Sequence, residues 1–217
     1  NLDLSEKQQH YLTYLRGWNS FYKNDYLLGE QKLSSLLTSN ASDLLKFRAN
    51  YTLVNAYSSL QRWQQGLQQV AKVLTSSVKI KDIKHYQTGL ITIISFYNQV
   101  GQYELALDYS KQLIDTPYDN RIACMANQLV LLAKLETKQL TLSNTDIPKS
   151  IQLCEQANEP IFIGRIRSYQ AQLHLNNDNA DRALNSLKPY LVKIQTTQYK
   201  MLITRIYNLL TQAYYLK

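Results

Sequence analysis

A chain of 217 residues, 45% of them hydrophobic, can bury a substantial core, and only 18% of its residues are charged. Its formal charge of +8 is dispersed, with 11 basic and 8 acidic groups in residues 1–108 and 13 and 8 in residues 109–217, so neither half is a basic arm and no nucleic-acid partner is expected. Nowhere does the chain approach the roughly 18 consecutive apolar residues of a membrane span.

Alternating β-branched stretches are nearly absent, while Leu, Gln, Lys and Ala recur at three- and four-residue spacing, which predicts an all-α fold. In chain order the pattern gives eleven helices, at residues 5–22, 25–38, 43–60, 63–75, 79–99, 102–114, 119–137, 146–157, 160–176, 179–195 and 198–216. Pro117 follows the end of the sixth. Asp146 and Pro148 are placed to cap and open the eighth, and Pro160 opens the ninth. Pro189 falls inside the tenth, where its ring and its missing N–H should kink the helix.

These helices are written in repeating units. In AYSSLQRWQQGLQQVAKVL (56–74) and FYNQVGQYELALDYSKQLIDTP (96–117), Tyr57 and Tyr97 are each followed six residues later by an aromatic, Trp63 and Tyr103. Three residues further on come the small residues Gly66 and Ala106. A helix, a tight turn and a second helix are implied, with the small residue where two antiparallel helices come closest. The pairs Gly17 with Gly29 and Ala171 with Ala183 keep the same spacing of 12 found for Val54 with Gly66 and Ile94 with Ala106. The small residues are separated by 37 (Gly29 to Gly66), 40 (Gly66 to Ala106) and 77 (Ala106 to Ala183), so the last gap holds a further unit, with Ser150 as its small residue. The chain resembles the tetratricopeptide (TPR) family, whose period is about 34 residues. That resemblance implies a single right-handed superhelical array over residues 1–217, with about five helical hairpins and a C-terminal capping helix.

Catalytic groups do not converge in the sequence. His10, His85 and His174 are scattered without a second ligand at metal-binding spacing, so no metal or cofactor is expected. His174 takes the repeat position held by Tyr57 and Tyr97, which reads as a packed core histidine. The six glycines do not cluster into a phosphate-cradling loop. The densest basic run, KIKDIKH from Lys79 to His85, contains Asp82 and reads as a solvated face. The segment is therefore read as non-enzymatic.

In TPR arrays the first helix of each pair lines a concave groove. Carried onto this chain, that face holds Tyr11, Tyr14, Trp18, Phe21 and Tyr22, then Arg48, Tyr51, Asn55 and Ser58, then Asn98, and later Arg165 and Gln172. An aromatic end beside Arg and amide groups suits a protein or peptide segment, or a small ligand. The positions that hold basic residues in chaperone-binding TPR domains are here Tyr51, Thr88 and Thr92. Folding the fourth hairpin about residues 139–141 brings Cys124 and Cys154 nearly level. They form either a disulfide, in an oxidising compartment, or two independent buried thiols.

The segments LSEKQQHYLTYLRGWNSFYKNDYLLGEQKLSSLL, LLKFRANYTLVNAYSSLQRWQQGLQQV, RIACMANQLVLLAKLE and SIQLCEQANEPIFIGRIRSYQAQLHL together resemble the periplasmic TPR sensor region of membrane-bound GGDEF diguanylate cyclases of gamma-proteobacteria. The resemblance covers nearly the whole chain. It implies a fragment of a longer, membrane-anchored protein, with a signal segment upstream and a transmembrane helix and cyclase domain downstream, which accords with a start at Asn1. It further implies a homodimer. The alternative is a cytoplasmic TPR adaptor or regulator.

Overall fold

The computed structural model describes residues 4–143 and 145–217, so Asn144, within the polar turn of the fourth hairpin, lies outside the described residues. All regular structure among them is helical: α1 (Glu6–Tyr22), α2 (Tyr26–Thr38), α3 (Asp43–Ser59), α4 (Trp63–Ser77), α5 (Ile83–Gln99), α6 (Tyr103–Ile114), α7 (Asn120–Glu136), α8 (Asp146–Gln156), α9 (Pro160–Asn176), α10 (Ala180–Gln195) and α11 (Lys200–Tyr215).

Short polar residues fix the starts. Asp25, Ser42, Asp82, Asp119 and Asn179 each accept a backbone N–H three residues ahead, satisfying donors that have no partner within the helix. At α1 the Gln8 side chain reaches back to the Ser5 N–H at 2.9 Å. Two sequence expectations are corrected here. The fifth helix begins at Ile83 and not at residue 79, because the Asp82 carboxylate caps it and leaves Lys79 to Lys81 in the preceding linker. At α8 the cap is Thr145, and Asp146 is already the first helical residue, where its charge favours the positive end of the helix dipole. The tenth helix runs on through Pro189.

The helix ends explain the repeat. After α1, α3, α5, α7, α8 and α9 one residue turns left-handed: Asn24, Gln61, Gly101, Lys138, Asn158 and Asp178. The next residue then donates its N–H to a carbonyl five positions back, namely Asp25 to Ser20, Arg62 to Tyr57, Gln102 to Tyr97, Gln139 to Lys134, Glu159 to Cys154 and Asn179 to His174, all at 2.8–3.0 Å. This is the Schellman turn, which ties off carbonyls that the helix leaves bare. Tyr57, Tyr97 and His174 thus share one structural position, as their sequence spacing implies.

Small residues mark close approaches. Ala106, Ser150 and Ala183 are at most 1% exposed, and Gly29 and Gly66 are buried. A Cβ on Gly29 would lie 3.1 Å from the Gly17 carbonyl oxygen, and one on Gly66 would overlap the ring of Phe96.

Two compact units emerge, the first ending at Gln102 and the second running from Tyr103 to Lys217. In the first, consecutive helices from α1 to α5 pack in sequence, and α3 also packs on α1 and α5. Leu33, Leu36, Leu45, Ala49, Leu53 and Tyr57 form a shared core there. In the second, consecutive helices from α6 to α11 pack in sequence, and α9 also packs on α7 and α11. Its interior has one cluster around Leu131, Ile147, Ile163 and Ile166 and another around Ala183, Leu187, Ile194, Ile206 and Leu209.

Candidate functional site

In the first unit, α1 and α3 present residues i, i+4 and i+8 along facing sides, since these repeat positions share one helix face. Between them opens a pocket of about 520 Å³, within the usual range for small-ligand sites. Tyr14, Trp18, Phe21, Tyr22, Arg48, Tyr51 and Asn55 all line it, which brings together seven of the sequence-derived groove residues. Tyr14 and Tyr51, 4% and 9% exposed, are its deep members, whereas Trp18 and Tyr22, 42% and 72% exposed, stand at its rim.

The deep end is held firmly. Thr52 Oγ1 donates to the Arg48 carbonyl at 2.8 Å, so at its 3.3 Å contact with the Tyr14 hydroxyl the tyrosine is the donor. The Arg48 guanidinium lies 4.5 Å over the Tyr14 ring and 5.7 Å from that of Tyr11, a cation-π arrangement. Its Nε is buried without a hydrogen-bond partner. Among the described residues no carboxylate forms an ion pair with Arg48. Burial, and then neighbouring Tyr14, push the Tyr51 hydroxyl well above the ordinary tyrosine value against the opposing effect of Arg48, so it stays neutral and able to donate.

Other expectations fall elsewhere. Asn98, on α5, is buried and does not line the pocket, and Ser58 faces the core while Ser59 takes the lining position. Arg165, on α9 in the second unit, donates to the Tyr199 hydroxyl at 2.8 Å and stacks near Phe162 and Tyr199. Gln172, also on α9, bonds Asn176 at 3.2 Å. Tyr26 was not foreseen in the pocket: it opens α2, a second helix of a pair, but the three-residue turn keeps it beside Phe21, ring centroids 6.2 Å apart. Its spacing of five from Phe21 across a capped turn is the signal that could have shown it.

In the second unit Cys124 on α7 and Cys154 on α8 are joined by a disulfide, with Cα atoms 4.8 Å apart and both residues fully buried. Lys79, Lys81 and Lys84 are exposed, as a solvated run should be.

His174 is buried, and its pKa is lowered first by burial and then by Arg182. Its neutral form is therefore favoured in the folded state, so this contribution to stability is complete above the ordinary histidine value of 6.5 and is lost as pH falls below it. His174→Tyr, which installs the residue found at this position in two other repeats, should flatten the acid limb of a melting-temperature profile. An acid limb identical to wild type would contradict the assignment.

Among the described residues no group of three or more His, Cys, Asp or Glu is placed to hold a metal ion, and no helix is long and apolar enough to cross a membrane. Compared with known proteins, the chain matches no family model and no curated protein sequence.

Proposed function

We propose that this chain is a non-catalytic binding module: a TPR-like superhelical array of about five hairpins and a capping helix, serving as the extracytoplasmic signal-input region of a membrane-bound diguanylate cyclase. The carrying observation is the pocket in which Tyr14, Trp18, Arg48, Tyr51 and Asn55 converge, since it combines deep aromatic surface with few polar groups, as ligand sites do. The recurring Schellman turns and buried small residues support the repeat architecture. The buried Cys124–Cys154 bond favours an oxidising compartment and weighs against the cytoplasmic adaptor. A ligand that fits one curvature of the array better than another would shift the population toward it, and α11 would pass that shift to the output domain. The partner surface is a homodimer's, since a cyclase must bring two active sites together.

The experiment is a topology measurement on the full-length parent in its membrane. A thiol introduced as Val78→Cys, at a position 84% exposed, should react with a membrane-impermeant maleimide once the outer membrane is permeable. Labelling only after the inner membrane is broken would overturn the extracytoplasmic reading.

A further inference from the structure

From the pocket's chemistry we infer that its ligand is a small aromatic acid: a planar ring bearing one carboxylate, with the ring among the tyrosines and the carboxylate on Arg48. Three observations combine. The deep wall is made of aromatic faces, Tyr14 and Tyr51, with Trp18 at the rim, which favours a flat apolar body over an extended polar one. Arg48 brings a permanent positive charge into that wall, and no carboxylate of the described residues neutralises it. Its Nε donor is buried without an acceptor, so the protein does not exhaust the guanidinium's hydrogen-bonding capacity, and a carboxylate meeting the part of Arg48 that lines the pocket finds a donor of full charge.

The same geometry argues against an organic cation, although an aromatic cage otherwise suits one. Arg48 already occupies the face of Tyr14 at 4.5 Å, so a second positive group would meet like charge where it would need an exposed ring. Asn55, at the exposed side of α3, adds an amide that can serve either a carboxylate or a ring substituent, and it therefore sets orientation more than charge preference. Simple anions fit the charge but leave the aromatic surface uncovered, and neutral rings leave Arg48 without a carboxylate. Only a ligand with both features satisfies both parts of the pocket.

The test is titration of the 217-residue protein with phenylacetate, phenethylamine and acetate, followed by NMR at the Trp18 indole N–H and the Arg48 Nε–H. Phenylacetate should shift both signals and bind at least tenfold more tightly than either of the other probes. Arg48→Gln should weaken phenylacetate ten- to hundredfold while binding phenethylamine no more weakly than the unmodified chain does, and Arg165→Gln should leave both unchanged. Equal binding of phenethylamine, or absence of phenylacetate binding at millimolar concentration, would overturn the inference. The comparison of probes on the unmodified chain keeps the inference falsifiable should Arg48→Gln fail to fold. The inference rests on the binding-module reading, and the two fail separately. Phenylacetate binding with a Val78→Cys thiol protected by the inner membrane keeps the ligand class and removes the sensor's location; a labelled thiol without phenylacetate binding does the reverse.

Discussion

Reducing the Cys124–Cys154 bond should lower the stability of the second unit by about 2–4 kcal/mol, because the bond closes a 30-residue separation and restricts the unfolded chain. For a protein of this size, that corresponds to a fall in melting temperature of about 5–15 °C. Both cysteines are fully buried beside Leu131, Ile147 and Ile166, so a reductant reaches them only when α7 and α8 separate locally. Hydrogen exchange should therefore accelerate first in α7 and α8, and least in α1 and α2, since repeat units depend mainly on their neighbours. A reduced protein that melts with the oxidised one would show that the bond does not stabilise the fold.

Gly66→Leu should be comparably damaging. Even a single Cβ at Gly66 would overlap Phe96, which is fully buried and packed edge-on against Trp63 and Tyr97 at 6.3 and 6.1 Å, so the ring cannot retreat without moving two others. Overpacking of this kind costs about 1–3 kcal/mol, and replacing glycine within a helix returns about 1 kcal/mol of propensity. Leucine adds further atoms to an occupied space, so the overlap outweighs the gain and the melting temperature should fall by several degrees, on the order of 2–4 °C for each kcal/mol. Phe96→Leu in the same chain should recover part of the loss, because it vacates volume where the new side chain must go. A Gly66→Leu protein that melts at the wild-type temperature would contradict the close approach of α4 and α5.

Much of the helical framework was legible because its causes are local. Apolar spacing sets each helix face, and Asp25, Ser42, Asp119 and Asn179 cap helices within one residue of the starts read from sequence. The fifth start was missed because Lys79, Ile80 and Lys81 continue a helix-compatible pattern up to Asp82, whose capping role depends on where the backbone turns. Three left-handed turn residues were hidden for a different reason: Gln61, Lys138 and Gln198 carry no compositional mark, whereas Gly101, Asn24, Asn158 and Asp178 are residue types that favour this conformation. In the site, helical periodicity brought Tyr14, Trp18, Arg48, Tyr51 and Asn55 onto facing sides, because spacings of three, four and seven survive folding unchanged. Asn98 shows the limit of that reasoning. Helical spacing puts it on the expected groove face, but at 5% exposure it is buried in α5 and does not line the pocket.

The most direct measurement of the sensor reading is the rate of cyclic-dinucleotide formation from GTP in membranes carrying the full-length parent, compared with the isolated 217-residue chain. The isolated chain should form none, while the parent should form it at a rate that changes when Tyr51→Ala alters the pocket or when residues 1–217 are deleted. Turnover by the isolated chain, or a parent whose rate is indifferent to both changes, would contradict a non-catalytic input module.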